Sequence, residues 1–156
     1  MMHHAGRRVV MEGGQIPCSK GRKANLSHFL QNPNYGRTIG THVPLPSARI
    51  IRENLETLEL TDQAKLVKGN AFLWDRAEAD AERPWCVFCC PPYKFFETRL
   101  DQMSTLISGT LEKAPAGSII VVEAEIPFDF EPLAELGEWD VRTYRPAVIG
   151  ILEKMG

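Results

Sequence analysis

Apolar and polar positions are spread very unevenly along this chain. From Met1 to about Pro46, single apolar residues are scattered among Gly, His, Asn, Arg and Lys, and no window keeps a helical or strand period. That stretch is expected to be unstructured. At Pro46 the character changes. "PSARIIRENLETLEL" opens on Pro and Ser and then sets Ile50, Ile51, Asn54, Leu55 and Leu58 at helical spacing, which predicts a helix of about 13 residues. "AKLVKGN" reads as a short strand running into Gly69 and Asn70. "AFLWDRAEADAERP" is polar and acidic, a turn or short helix, and "WCVFCC" is a buried strand by its unbroken apolar run. A second helix is predicted from roughly Phe96 to Lys113, with Leu100, Met103, Leu106, Ile107 and Leu111 on one face, and "APAG" stops it. "SIIVVEAE" is another buried strand, and "EWDVRTYRPAVIGILEK" reads as two strands about a turn near Arg145 and Pro146.

Helices alternating with apolar strands predict an α/β fold, with a mostly parallel sheet wrapped by helices and an antiparallel hairpin at its C-terminal edge. Ligands of such sheets bind outside the carboxyl ends of the strands. Asn70 and Ala71 follow one strand end, Cys90-Pro91-Pro92-Tyr93 the next, and Glu123 and Glu125 close a third. "NPNYGRTIG" (Asn32 to Gly40) imitates the Pro-Pro-Tyr segment, but no strand is predicted before it.

The 156 residues, 44% apolar and 24% charged, suit one globular domain. No run approaches the roughly 18 to 20 apolar residues of a membrane helix, and no secretory signal opens the chain, so a cytoplasmic location without membrane association is expected. Three of the four cysteines (Cys86, Cys89 and Cys90) share one apolar segment, and Cys18 stands apart. Reduced thiols are expected rather than a disulfide framework. Cys86 and Cys89 form a C-x-x-C, yet alternation along a strand points them to opposite faces, so no metal site is expected. Charge is lopsided: up to Arg49 there are seven Lys or Arg against Glu12 alone, and the remainder is acidic. A basic arm of this kind suits contact with nucleic-acid phosphates, as do Lys94, Arg142 and Arg145 if they face a ligand.

Two prolines directly after a buried strand fix φ and remove two N–H donors, which leaves a rigid loop presenting carbonyls. With "RENLETL", "VKGNAFLW", "VVEAE" and "GEWDVRTYRPAVIGIL" around it in this order, "CPPY" makes the chain from about Pro46 to Lys154 resemble the guanine-N2 methyltransferases of small-subunit ribosomal RNA. These belong to the class I S-adenosylmethionine-dependent methyltransferases. The resemblance implies S-adenosylmethionine as cofactor and ribosomal RNA as partner. It also implies that Asn70 and Ala71 lie against the cofactor, with the Asn70 amide oxygen accepting from the adenine amino group. Cys90, Pro91, Pro92 and Tyr93 become the catalytic loop: the side chain at the first position and the carbonyl of the next accept the hydrogens of the target amine, and Tyr93 offers its ring to a base drawn out of its stack.

Cys90 departs from the Asp or Asn that this family carries, and a thiol is the poorer acceptor. A covalent role for Cys90 is the other use such a residue could have. The family also opens its sheet with a strand, a glycine-rich loop and an acid for the ribose hydroxyls. "EGGQ" (Glu12 to Gln15) has no apolar strand predicted before it, and His42 falls where the acid would stand. The first strands of the sheet are therefore expected to be missing. Residues 46–156 would be the C-terminal part of a methyltransferase domain, behind an unrelated basic leader over 1–45. Two alternatives remain open at this stage, a non-catalytic RNA- or partner-binding remnant and a DNA adenine amino-methyltransferase.

Overall fold

A computed structural model of the chain describes residues 7–12, 35–41, 45–62, 64–66, 70–73 and 83–156. Seven strands form one sheet: β1 (Arg7–Glu12), β2 (Tyr35–Thr41), β3 (Ala64–Leu66), β4 (Trp85–Cys89), β5 (Ile119–Glu125), β6 (Asp140–Tyr144) and β7 (Ala147–Glu153). Their order across the sheet is β3-β2-β1-β4-β5-β7-β6. All neighbours from β3 to β5 run parallel, while β7 lies antiparallel to both β5 and β6. The α/β class, the mostly parallel sheet and the C-terminal antiparallel hairpin are as the sequence implies.

The expectation that the first strands are missing is corrected by this pairing. Arg7–Glu12 sits between β2 and β4, with Glu12 level with Thr41 on one side and Cys89 on the other. Both strands come from the segment read as a leader, and Tyr35–Thr41 takes in most of the supposed imitation loop. The physical reason is non-local pairing. "RRVVME" and "YGRTIGT" are too short and too mixed to announce themselves by period, yet a parallel sheet supplies every ladder bond from neighbours distant in sequence. Gly13 to Gln15, Cys18 and His42 lie outside the described residues, as does the acidic stretch 74–82.

Helix α1 (Leu45–Thr57) has the predicted length and buries Ala48 and Leu55; Leu55 joins Leu60 in a small cluster with Ile51, Leu58 and Ala64. The helix predicted after the prolines is two pieces, α2 (Phe95–Thr98) and α3 (Leu100–Lys113). Arg99 leaves helical geometry between them, at φ −143° and ψ 32°. Met103, Leu106, Ile107 and Thr110 face inward from α3. Of these, Met103, Leu106 and Ile107 join Trp85, Val87 and Cys89 of β4, Ile120, Val122 and Ala124 of β5, and Val148 of β7 in the main core. A short 3-10 helix (Glu131–Leu136), not anticipated from the sequence, adds Leu133 to it. The far end of α3 is closed by the last residues of the chain: the Lys154 ammonium donates to the carbonyls of Leu111 and Ala114, both at 2.7 Å. A cation on the orphan carbonyls of a helix C-terminus meets both their hydrogen-bonding need and the helix dipole.

β7 passes so close to the Phe130 ring that a methyl group at Gly150 would land on ring atom Cε1. Phe130 is 2% exposed and sits in the left-handed region at φ 64°, so it has little room to yield. Gly150→Ala is expected to destabilise the chain by about 1–3 kcal/mol. Thermal unfolding followed by circular dichroism would show this as a Tm lowered by several degrees.

Candidate active site

The strand order places a topological switch between β1 and β4: the chain winds outward through β2 and β3 on one side and through β5 and β7 on the other. Parallel sheets open a crevice at such a point, beyond the carboxyl ends of the two strands. Glu12 ends β1 and is level with Cys89, the last residue of β4, so the segment beginning at Cys90 emerges on this crevice.

Cys90 to Lys94 form the connection from β4 to α2. Pro91 is buried, Pro92 is exposed, and Cys90 and Tyr93 are half-buried. The Pro92 carbonyl accepts the Phe95 N–H at 2.8 Å, and the Tyr93 carbonyl accepts that of Phe96 at 3.1 Å. The loop therefore passes directly into α2, with its φ angles limited by the two rings.

The next strand provides the partner. Cys89 pairs with Val122 in the parallel ladder, so Cys90 and Glu123 are the next residues on each strand. Cys89 and Val122 point into the core; by alternation Cys90 and Glu123 lie toward the opposite face. There the Tyr93 hydroxyl donates to Glu123 Oε1 at 2.7 Å. The Cys90 thiol meets the same carboxylate. Burial first, and then the Glu123 charge and hydrogen bond, push the Cys90 thiol up to about 12. For Tyr93 the hydrogen bond to Glu123 is the main cause of a rise to about 12. Both groups are therefore neutral donors near pH 7. A thiol held protonated is disfavoured as the nucleophile that a covalent role requires.

Tyr93 thus turns toward β5. The ring stacked on Phe95 belongs to Phe72, at 5.9 Å between centroids and 29° between planes. The Arg99 guanidinium lies over the Phe95 ring at 4.9 Å and over the Phe72 ring at 6.0 Å from its centroid. Such stacking holds a cation at the surface while leaving its hydrogen-bond donors available. Sequence reasoning missed Arg99; the available signal was its i, i+4 spacing from Phe95.

Asn70 is exposed and its side-chain oxygen accepts the Phe72 N–H at 3.1 Å, which caps the one-turn 3-10 helix Ala71–Leu73. That oxygen has a second lone pair, and the amide nitrogen two donors. Ala71, the next residue, is buried. Of the basic candidates, Arg142 is held by Asp140 at 2.6 Å on edge strand β6, away from the crevice; Lys94 lies in the loop itself. Among the described residues Cys86, Cys89 and Cys90 form no disulfide. Among the described residues no cluster of three or more His, Cys, Asp or Glu is arranged to hold a metal ion, and no helix is long and apolar enough to cross a membrane.

This is the fold of class I methyltransferases. It superposes on a Clostridium thermocellum protein assigned by inference as an rRNA methylase, with a TM-score of 0.68 and 16% identity over 96% of this chain and 91% of that one. An rRNA methylase from Streptococcus thermophilus gives a TM-score of 0.64 at 12% identity, covering 97% and 89% of the two chains. An RNA methyltransferase from Salinibacter ruber, in complex with S-adenosyl-L-homocysteine, gives 0.60 at 14% identity over 97% and 82%. No protein-family profile matches the chain, and no curated protein matches it by sequence.

The raised thiol has a direct test. Iodoacetamide at pH 8, followed by peptide mass spectrometry, is expected to leave Cys90 almost unmodified in the folded chain. In Glu123→Gln, where the charge of the carboxylate is gone, the labelling rate at Cys90 should rise.

Proposed function

We propose that this chain is an S-adenosylmethionine-dependent methyltransferase that modifies an exocyclic amino group of guanine in ribosomal RNA. The observation that supports this best is the position of the Cys90–Tyr93 loop: it leaves the central strand at the switch point, beside the end of β1, with its aromatic residue anchored to the neighbouring strand. The same fold is seen in solved RNA methylases, one of which binds S-adenosyl-L-homocysteine.

The donors present suit the cofactor. Asn70 keeps an exposed amide after β3, fit for the polar edge of an adenine, and Ala71 beside it in sequence is buried. Glu12 ends β1 and is followed in sequence by Gly13-Gly14, the small residues that let backbone approach a ligand closely. When bound, S-adenosylmethionine supplies an electrophilic methyl group on a sulfonium.

The chain's own part is to orient and to accept protons. A base amine is a poor nucleophile because its lone pair is delocalised into the ring, so its hydrogens must be accepted as the new bond develops. Pro91 and Pro92 hold the loop backbone rigid, so that the Pro91 carbonyl serves as one acceptor. Tyr93, its hydroxyl fixed, provides a flat side against which a base removed from its stack can rest. Phe72, Phe95 and Arg99 extend this surface with a ring pair and a cation suited to an adjoining nucleotide. Cys90 is the feature that favours the alternative of a non-catalytic RNA-binding protein, because a protonated thiol accepts poorly.

Cofactor binding is the first measurement. S-adenosylhomocysteine at about a hundred times its Kd should stabilise the chain by about 2.7 kcal/mol, with a higher Tm, and Asn70→Ala should weaken that effect. No stabilisation and no heat in a calorimetric titration would count against catalysis. With binding established, transfer of labelled methyl to RNA followed by nucleoside analysis should yield N2-methylguanosine; N6-methyl-2′-deoxyadenosine made on DNA, with no product on RNA, would favour the adenine enzyme instead.

A further inference from the structure

The loop lacks the carboxylate or amide that its chemistry calls for, and the adjacent strand presents one. We infer that the Glu123 carboxylate, reaching across from β5 beside Cys90, is the proton acceptor for the target amine; this rests on the methyltransferase reading above. Glu123 is one residue beyond the Cys89–Val122 ladder pair, which puts it level with Cys90 on the same side of the sheet. It meets the Cys90 thiol and holds Tyr93 at 2.7 Å, so it stands one hydrogen bond from both loop residues expected to touch the base.

The exchange of roles has a physical logic. An Asp at position 90 would set two carboxylates side by side, and like charges so close cannot both stay ionised at neutral pH. A thiol there is neutral and short and can donate, so it orients the glutamate instead of opposing it. A carboxylate can accept about four hydrogen bonds. Those from Tyr93 and Cys90 leave it capacity for an amine.

The step balances without any further reagent. The amine nitrogen forms a bond to the methyl carbon, the carbon–sulfur bond breaks with its electron pair remaining on sulfur, and one proton passes from nitrogen to Glu123 and then to solvent. Glu123 would thus be a catalytic residue contributed by β5, and the Pro91 carbonyl the second acceptor. Sequence reasoning took Glu123 for a strand-end or rim residue.

Glu123→Gln preserves shape and removes the basic oxygen. Its kcat for methyl transfer to RNA should fall about 100-fold, while S-adenosylhomocysteine binding and Tm stay at wild-type values. In the same variant the Tyr93 phenol, followed by ultraviolet absorbance, should titrate at lower pH than in the wild type. The decisive variant is the double replacement Cys90→Asp with Glu123→Gln, which returns a carboxylate to the loop without a charged neighbour and should recover at least about tenfold of the lost rate. Wild-type kcat in Glu123→Gln, or no recovery in the double variant, would overturn the assignment while leaving the methyltransferase reading intact. A wild-type chain that binds S-adenosylhomocysteine but methylates no RNA would remove that reading, and this inference with it.

Discussion

Everything at the site depends on β4 being paired on both sides and covered. Trp85 and Val87 are each 1% exposed, and Cys89 is 2% exposed. A strand so placed has its backbone groups committed to β1 and β5, and its side chains must be apolar or small. Polar chemistry can begin only where the strand ends, at Cys90. The two prolines make that ending abrupt: neither can donate to a ladder, and both keep the chain from entering a helix until Pro92 has given its carbonyl to Phe95. The loop is thereby fixed from behind by the sheet, from ahead by α2 and from the side by the Tyr93–Glu123 hydrogen bond. The groups of the loop are ordered in advance, and a ligand held by such preordered groups loses less entropy on binding.

Electrostatics divide the surroundings of the loop. Glu123 and Glu125 close β5 on one side, while Lys94 and Arg99 stand on the loop and at the break before α3. Bare carboxylates repel phosphate, whereas the hydrogen bonds that Glu123 accepts from Tyr93 and Cys90 spread its charge. The backbone bonds run on through the break, the Arg99 N–H donating to the Phe95 carbonyl at 2.9 Å and the Met103 N–H to that of Arg99 at 3.0 Å, and the guanidinium keeps its i, i+4 place over Phe95.

What the sequence disclosed follows the range of the forces involved. α1, β4, β5 and the terminal hairpin were readable because each declares itself within its own residues, through helical spacing, continuous apolar runs or alternation. The loop was readable because two prolines after a buried strand have few uses. Hidden features came from contacts distant in sequence. Glu123 lies 30 residues from Tyr93, and only the β4–β5 register makes them neighbours. The break at Arg99 carries neither Pro nor Gly, so nothing local marks it, and the cap that Asn70 gives Phe72 competes with the ligand role its position suggested.

The strands β1 and β2 illustrate a different kind of inference, from what a strand requires rather than from how it looks. "WCVFC" is apolar at every position, and Trp85, Cys86, Val87 and Cys89 are all buried. That pattern excludes an edge, since an edge strand leaves a row of unpaired N–H and C=O groups and part of its surface in water. β5 covers one side of β4 and the hairpin lies beyond β5, so the other side needs a strand from elsewhere. α1 and β3 follow Pro44, and β3, with three residues, is too short to flank all of β4. Among the described residues the segment before α1 remains, and Val9-Val10-Met11 is its longest apolar run. The apolar character of β4 thus already implied a partner among the first 45 residues, although those residues gave no periodic sign of it.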